Sequence, residues 1–163
     1  MKKLLSLCLI CLMAVSAMAQ HAPASDGYVD LGLPSGTLWK NANEGGDDAL
    51  YTYDEAVSKF GDKLPTYEQF EELYSECTWT CIDNGSIYIT GYKVTGSNGN
   101  SITLPAAGER SRYGAVGRVG VYGYYWSSTP YDSDCAWFIY FYKPGVYVNY
   151  DYRSNGYSVR LVK

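Results

Sequence analysis

The chain has 163 residues and carries 17 Asp and Glu against 13 Lys and Arg, which gives a net charge of −4. Affinity for nucleic acid comes from basic side chains on phosphates, so an acidic chain without a Lys/Arg cluster is expected to have no nucleic-acid partner. Beyond the N-terminal segment no apolar stretch is long enough to cross a bilayer, which predicts the absence of a transmembrane segment.

The N-terminal segment has the order of a secretory signal peptide. Lys2 and Lys3 precede an apolar stretch over residues 4–15, and Ala17-Met18-Ala19 offers an A-x-A cleavage site. We therefore predict a signal peptide over residues 1–19, a linker over 20–27 and one domain over 28–163. Loss of Lys2 and Lys3 lowers the Lys and Arg count from 13 to 11, so the net charge moves from −4 to −6. The expected location is periplasmic, cell-surface or secreted.

Three cysteines remain in this domain, Cys77, Cys81 and Cys135, so at least one thiol is free or in an intermolecular bond. Cys77 and Cys81 lie in what reads as a strand, where about 13 Å would separate their Cα atoms, too far for a disulfide. Pairing of either with Cys135 stays open; buried or half-buried thiols are the alternative.

The first elements in chain order are a hairpin and a helix. Residues 28–39 read as two short strands about a Pro-Ser-Gly turn. A helix is expected from Thr52 or Asp54 to Phe60, with Gly61 as its C-cap.

A second helix is predicted from Thr66, which forms a capping-box pair with Gln69. Phe70, Leu73 and Tyr74 recur at helical spacing and predict its buried face. Glu68, Glu71 and Glu72 are interpreted as its solvated face.

Strands are predicted from Cys77 onward. The pairs Asn84-Gly85 and Asn98-Gly99 lie between alternating segments, and Asn-Gly accepts the positive φ that tight hairpin turns need. Residues 109–120 form a Gly- and Arg-rich loop.

The C-terminal third holds ten of the 18 tyrosines, between Tyr122 and Tyr157. Tyr with Ser, Asn, Asp and Gly is typical of recognition surfaces, because Tyr offers stiff amphipathic area and the small polar residues adapt their hydrogen bonds. Alternation assigns two sets to the core, Trp137, Ile139 and Phe141 on one strand and Val146, Val148 and Tyr150 on the next.

The opposite set and its extension are the predicted ligand-binding residues: Phe138, Tyr140, Tyr142, Tyr147, Asn149, Asp151, Tyr152, Ser154, Asn155 and Tyr157. The alternative is that these aromatic side chains only cover a sheet. The expected ligand is an unknown surface protein or glycan, and we expect no cofactor and no metal.

Catalysis has little support in the sequence. The single histidine, His21, adjoins the cleavage site, so a Ser-His or Cys-His pair is not expected, and no His/Cys spacing fits zinc. A pair of carboxylates such as Glu109 with Asp132 or Asp134 has the chemistry for glycoside hydrolysis, but nothing in the spacing favours it. Arg110, Arg112 and Arg118 are candidates for an anionic ligand or simply solvated charges.

Several phrases occur together in order: YVDLGLPSGTLW (28–39), LPTYEQFEEL (64–73), GYKVTGSNGNSITLPAA (91–107), GYYWSST (123–129) and GYSVRLV (156–162). In this combination the chain resembles the Fibrobacter succinogenes major paralogous domain proteins of Bacteroidetes and, more widely, the C-type-lectin-like group. The resemblance implies an α+β fold, with two helices packed on a twisted, mainly antiparallel sheet with long loops.

The departures from that group limit what the resemblance implies. The calcium signatures of sugar-binding C-type lectins are missing, and only Cys135 remains in the C-terminal half, where formylglycine-generating enzymes use a cysteine pair. The resemblance therefore implies a recognition or adhesion domain and no enzyme. A structural or assembly module of the cell envelope is the alternative, and a glycan-active enzyme has the weakest support.

The variable proteins of diversity-generating retroelements belong to the same group. Tyr, Asn, Asp, Ser and Cys all arise from an Asn codon when only adenines change, and these types dominate the predicted outer positions. Retroelement diversification of this region is therefore a further hypothesis. Lys143 and Trp137 cannot arise in this way.

Overall fold

The computed structural model describes residues 26–83 and 85–163, and this part of the chain is mostly β, with 42% strand and 15% helix. The helices are α1 (Tyr53–Phe60), followed by a 3-10 turn (Gly61–Lys63), and α2 (Tyr67–Glu76). The strands are β1 (Tyr28–Asp30), β2 (Leu38–Lys40), β3 (Thr78–Asp83), β4 (Ile89–Thr95), β5 (Ser101–Pro105), β6 (Glu109–Arg110), β7 (Val116–Gly117), β8 (Gly123–Pro130), β9 (Cys135–Tyr142) and β10 (Gly145–Tyr152).

The described strands form four small sheets whose named pairs are all antiparallel. Two have three strands, in the orders β3-β4-β5 and β10-β9-β8, and two are the pairs β1-β2 and β6-β7. β10 is the outer strand of its sheet, and on the other side β8 is bridged to the C-terminal segment at Ser158. This sheet carries most of the predicted ligand-binding residues.

The prediction of an α+β, C-type-lectin-like fold was wrong. The two helices have only 8 and 10 residues, and the strands divide among several small sheets. The physical reason lies in the periodicity: helical spacing is confined to two short segments, and alternation governs nearly everything after Thr78.

The predicted helix ends are confirmed. Thr52 begins α1 with a capping box and Gly61 caps its end, and Thr66 with Gln69 forms the capping box of α2. The buried face of α2 is narrower than predicted, because Phe70 and Leu73 are buried whereas Tyr74 is 49% exposed.

The predicted hairpins are also present. β1 pairs with β2, β3 with β4, and β4 with β5 around Asn98-Gly99. Asn84 itself lies outside the described residues. The Gly- and Arg-rich segment is less irregular than predicted, because it contains the β6-β7 pair.

Two hydrophobic cores flank the β8-β9 sheet. One joins its Tyr125, Ile139 and Phe141 to Phe70 of α2 and to the β3-β4-β5 sheet. The other lies on the opposite face, and its residues are Tyr53, Ala56, Leu64, Tyr124, Trp126, Ala136, Phe138, Tyr157, Val159 and Leu161. Much of the face that was predicted to be outer is therefore covered by α1 and the C-terminal segment.

The C-terminal segment is held by a fully buried arginine. The Arg160 guanidinium donates to Asn43 Oδ1 (2.7 Å from Nη2), to the Lys40 carbonyl (2.9 Å) and to the Thr103 carbonyl (2.7 Å). Burial lowers the pKa of Arg160. Because neutral oxygens from three separate segments accept its protons, this side chain ties the C-terminal segment to β2 and β5.

Cys77, Cys81 and Cys135 are free in the structure, the first buried and the other two half-buried, as the alternative to a disulfide predicted. The predicted signal peptide and most of the predicted linker lie outside the described residues. Within the described ranges no helix is long and apolar enough to span a membrane.

Candidate functional site

A row of tyrosines crosses the open part of the β10-β9-β8 sheet. We call this surface the tyrosine face; it consists of Tyr122, Tyr140, Tyr142, Tyr147 and Asn149. Neighbouring tyrosine rings stack with centroids 4.9 to 6.3 Å apart and planes within 28° of parallel. The ring faces are covered by one another, so the row presents ring edges and hydroxyl groups.

Strand register explains how these rings meet. Tyr147 of β10 pairs with Tyr140 of β9, and residues opposite each other in an antiparallel pair share a face. Gly145 opposes Tyr142, and a Cβ at Gly145 would lie 2.6 Å from Tyr147 Oη. Glycine at this position therefore leaves room for Tyr147 to lean toward Tyr142, and the nearby Tyr147 hydroxyl raises the pKa of Tyr142.

An arginine closes one end of the row. The Arg118 guanidinium lies 5.3 Å from the centroid of the Tyr122 ring and donates from Nη1 to Tyr124 Oη at 2.6 Å. The same Nη1 lies 3.1 Å from Glu109 Oε1. Burial raises the pKa of Tyr124 to about 12. Glu109 is therefore ion-paired with Arg118. In the part of the chain that the structure describes, it forms no hydrogen bond with Asp132 or Asp134.

Seven of the ten predicted ligand-binding residues are accessible. Tyr147, Asn149, Tyr152 and Ser154 are exposed, and the half-buried residues are Tyr140, Tyr142 and Asp151. The structure divides them into two groups: the tyrosine face lies near the β9-β10 turn, and Tyr152 with Ser154 lies at the far end of β10.

Phe138, Asn155 and Tyr157 were predicted to be outer residues, and for these three the prediction was wrong. Phe138 is 4% exposed, Asn155 is buried and Tyr157 is fully buried. The centroids of the Tyr157 and Trp126 rings lie 4.3 Å apart. The chain turns inward after Ser154, and apolar residues at every second position from Tyr157 to Leu161 enter the core. That alternation was the sequence signal that should have placed Tyr157 inside.

The opposite face is less buried than predicted. Ile139 and Phe141 are fully buried as expected, but Trp137, Val146 and Val148 are half-buried, and toward the far end of β10 Tyr150 is 43% exposed. Tyr150 stacks on Tyr131 with centroids 3.6 Å apart, and Trp137 meets both rings edge-on. Side chains are therefore less buried at the end of the sheet where Trp137 pairs with Tyr150.

At the far end of β10 an open cleft of about 550 Å³ holds Tyr152 and Ser154. Arg153 also lines the cleft; it is ion-paired with Asp54 and donates to the Ser133 carbonyl at 3.2 Å. Asp134 completes the lining with Thr52 and Ser133.

Sequence reasoning missed a groove on the other face of the sheet. It has a volume of about 440 Å³ and lies between α2 and β10, and its lining consists of Tyr67, Glu71, Tyr74, Trp137, Val146, Tyr147 and Val148. Tyr67, Glu71 and Tyr74 have i, i+4, i+7 spacing, which puts them on one side of α2. This spacing was visible in the sequence, but Glu71 was interpreted only as a solvated charge.

The remaining charged side chains that the sequence singled out are engaged in local contacts. Among residues 26–83 and 85–163 no group of three His, Cys, Asp or Glu side chains could hold a metal ion. Asp132 accepts the amides of Asp134 and Cys135 at 2.8 and 2.7 Å, so it stabilises the turn into β9. Arg110 reaches the Leu50 carbonyl and Glu55, and Arg112 lies over the Tyr113 and Tyr152 rings.

Residues 90–162 match the model of a family described as a domain of unknown function, DUF8237. The match runs from β4 to the C-terminal segment and includes the whole tyrosine face. No curated protein and no solved structure matches the chain.

Proposed function

We propose that this chain is an exported recognition domain that binds a surface protein or glycan on the tyrosine face. The observation that carries the proposal is the row of stacked, half-exposed tyrosine rings on an open sheet face. The alternative is that these aromatic side chains only cover the sheet. An accessible aromatic row of this size is more typical of a binding surface.

The stacking supports binding on energetic grounds. Rings held by neighbouring rings have lost their rotamer freedom before a ligand arrives, so less conformational entropy is lost on association. Their hydroxyls each donate and accept hydrogen bonds. A ligand that lies across the row and forms several hydrogen bonds fits this surface better than a flat ring that needs an open aromatic face.

The test is a binding screen with matched variants. The purified chain is applied to arrays of glycans and of extracellular proteins, beside the variants Tyr147→Ser and Tyr113→Ser. Tyr113 is the control, because it is 82% exposed but lies in the loop between β6 and β7. We expect Tyr147→Ser to weaken any hit at least about 10-fold, since interface tyrosines are frequent hot spots, and Tyr113→Ser to leave it unchanged. Equal effects of both variants would rule out the tyrosine face.

The alternative, an assembly module of the cell envelope, uses the same surface differently. Permanent docking would cover Tyr147 in a stable oligomer or in a complex with a co-purifying subunit. Sedimentation of the native protein distinguishes the two: a monomer with accessible tyrosines supports reversible recognition, and a stable complex that protects them supports assembly.

Retroelement diversification is part of the proposal, and burial supports it. The positions expected to vary are Tyr140, Tyr142, Tyr147, Asp151, Tyr152 and Ser154, and none of them is buried. Of those expected to stay constant, Trp126, Ser127, Val159 and Arg160 are buried and Ser128 is half-buried. Accessible positions tolerate change at typically about 0.5 kcal/mol or less.

The neighbouring DNA provides the test. A near-copy of the segment encoding residues 126–163 should lie close by with a reverse-transcriptase gene, and mismatches should fall at template adenines. Absence of both would leave a recognition domain with a fixed surface.

A further inference from the structure

The groove between α2 and β10 combines aromatic walls with a carboxylate. The Tyr67 and Trp137 ring centroids are 4.7 Å apart, and Tyr74 and the exposed Glu71 lie further along the same side of α2. Val146 and Val148 of β10 also line the groove. Electron-rich ring faces with a nearby carboxylate attract an organic cation.

The chain's own cations do not fill this groove. Lysine and arginine side chains lie over other rings of the described chain, such as Tyr51, Tyr122 and Tyr53, but over none of the groove's rings. In the same part of the chain Glu71 has no salt bridge. Burial and the charge of Glu71 raise the pKa of Tyr67. The groove therefore carries negative charge that a positively charged partner would complement.

The edge of β10 beside the groove can accept another strand. Its Tyr150 and Tyr152 amides donate to Asn149 Oδ1 (2.9 Å) and Asp151 Oδ1 (2.7 Å), so these two amides point away from β9. Alternate residues direct their amides to the same side, which places those of Val146 and Val148 on this outer edge. Within the described ranges no strand pairs there. The half of β10 beside the groove is thus open, and the other half is blocked.

We infer that this groove is a second binding site, which takes a lysine or arginine side chain of an extended partner peptide paired with β10. A strand added to a sheet edge directs alternate side chains to each face. One of them therefore reaches over Val146 toward Tyr67, Glu71 and Tyr74. The groove lies mainly on the face of the sheet opposite the tyrosine face, but Tyr147 of the tyrosine face also lines it.

The experiment follows the Trp137 indole N–H by NMR in the full chain; its resonance is identified by its loss in Trp137→Phe. The probes are the peptide acetyl-Thr-Val-Lys-Val-Thr-amide, its norleucine analogue and tetramethylammonium chloride. We expect the lysine peptide to shift the resonance saturably, and the norleucine peptide to bind at least about 5-fold more weakly, as loss of a cation–π contact predicts. Tetramethylammonium, which cannot pair with β10, should bind more weakly than the lysine peptide.

A matched pair of charge variants tests the carboxylate. Glu71→Gln should weaken the lysine peptide about 3-fold, and Glu76→Gln, an exposed change on the same helix outside the groove, should not. Any of four results would overturn the inference. The two peptides bind equally, the two variants have equal effects, tetramethylammonium binds as tightly as the lysine peptide, or no saturable shift is seen.

Discussion

At the scale of single residues, Arg160 shows how a buried charge is tolerated without a carboxylate partner. Its guanidinium donates to oxygens of Asn43, Lys40 and Thr103, and Asn43 in turn donates to Tyr125 Oη at 3.3 Å. Tyr125 Oη donates to the Pro105 carbonyl at 2.8 Å. A planar fork with five donors fits this set of oxygens, and a lysine ammonium does not.

We therefore expect Arg160→Lys to lower the free energy of unfolding by about 3 kcal/mol, because buried oxygens are left without donors. Urea unfolding followed by fluorescence measures the loss. Arg112→Lys, an exposed change of the same chemistry, is the control and should cost no more than about 0.5 kcal/mol. A loss below about 1 kcal/mol for Arg160→Lys would mean that water replaces the missing donors.

Tyr147 and Tyr157 were predicted to lie on the same surface, but in the structure they occupy different environments. Tyr157 is fully buried against Trp126 and donates to Asp151 Oδ2 at 2.8 Å, whereas Tyr147 is 40% exposed. We expect Tyr157→Ser to cost about 3 kcal/mol or more through the cavity it creates, and Tyr147→Ser about 1 kcal/mol or less. Thermal unfolding of the two variants gives the comparison; similar losses would place both side chains in the core.

The predicted ligand-binding residues were chosen from the alternation of side chains along β9 and β10. This prediction was correct for several residues within those strands. It assigned Ile139 and Phe141 to the core, and it left Tyr147 and Asn149 accessible. It failed at Phe138, because period two gives the face of a strand but does not say which part of that face another element covers. Here α1 and the C-terminal segment cover it, and both arrive from sequence-distant positions.

At the scale of elements, the helix ends are the features that the sequence predicted best. A capping box is local, so Thr66 and Gln69 suffice to define where α2 begins. The arrangement of the sheets depends on long-range pairing, such as the bridge between Tyr125 and Ser158, and no local pattern encodes that bridge. For this reason the hairpins were correct and the fold class was not.

Thr66→Ala tests the contribution of that cap. The change removes the acceptor for the Gln69 amide, now at 3.2 Å, and should lower the free energy of unfolding by about 1 kcal/mol. Ser58→Ala, an exposed position inside α1, should change it by no more than about 0.5 kcal/mol. Chemical denaturation of both variants provides the measurement, and equal small effects would show that tertiary packing alone fixes α2.

At the scale of the whole molecule, groups that must stay neutral occur in both cores. Burial raises the pKa of Cys77 to about 11 and the pKa of Tyr124 and Tyr125 to about 12. Each raised pKa belongs to an acid that loses its proton more easily in the unfolded chain. The stability these groups contribute is therefore fully present below their unfolded pKa values and is lost as the pH rises through the folded ones.

The chain should consequently unfold more readily in alkali, beginning near the unfolded pKa of a cysteine, about 8.5. We expect the free energy of unfolding to fall from about pH 8 to about pH 11 as the unfolded chain loses the Cys77 proton, and to fall further toward pH 12 as tyrosines follow. Cys77→Ala removes the first group, so between about pH 8 and pH 10.5 this variant should lose on the order of 1 kcal/mol less than the parent chain.

The control for this comparison must lose packing without losing a proton. Val94→Ala does so, since Val94 is fully buried in the same core as Cys77. It should lower stability equally at all pH values and keep the parent slope. If Cys77→Ala also keeps that slope, water reaches the thiol in the native state and Cys77 does not contribute to the alkaline transition. A flatter slope would link the packing of α2 against β3 directly to the protonation of one buried thiol.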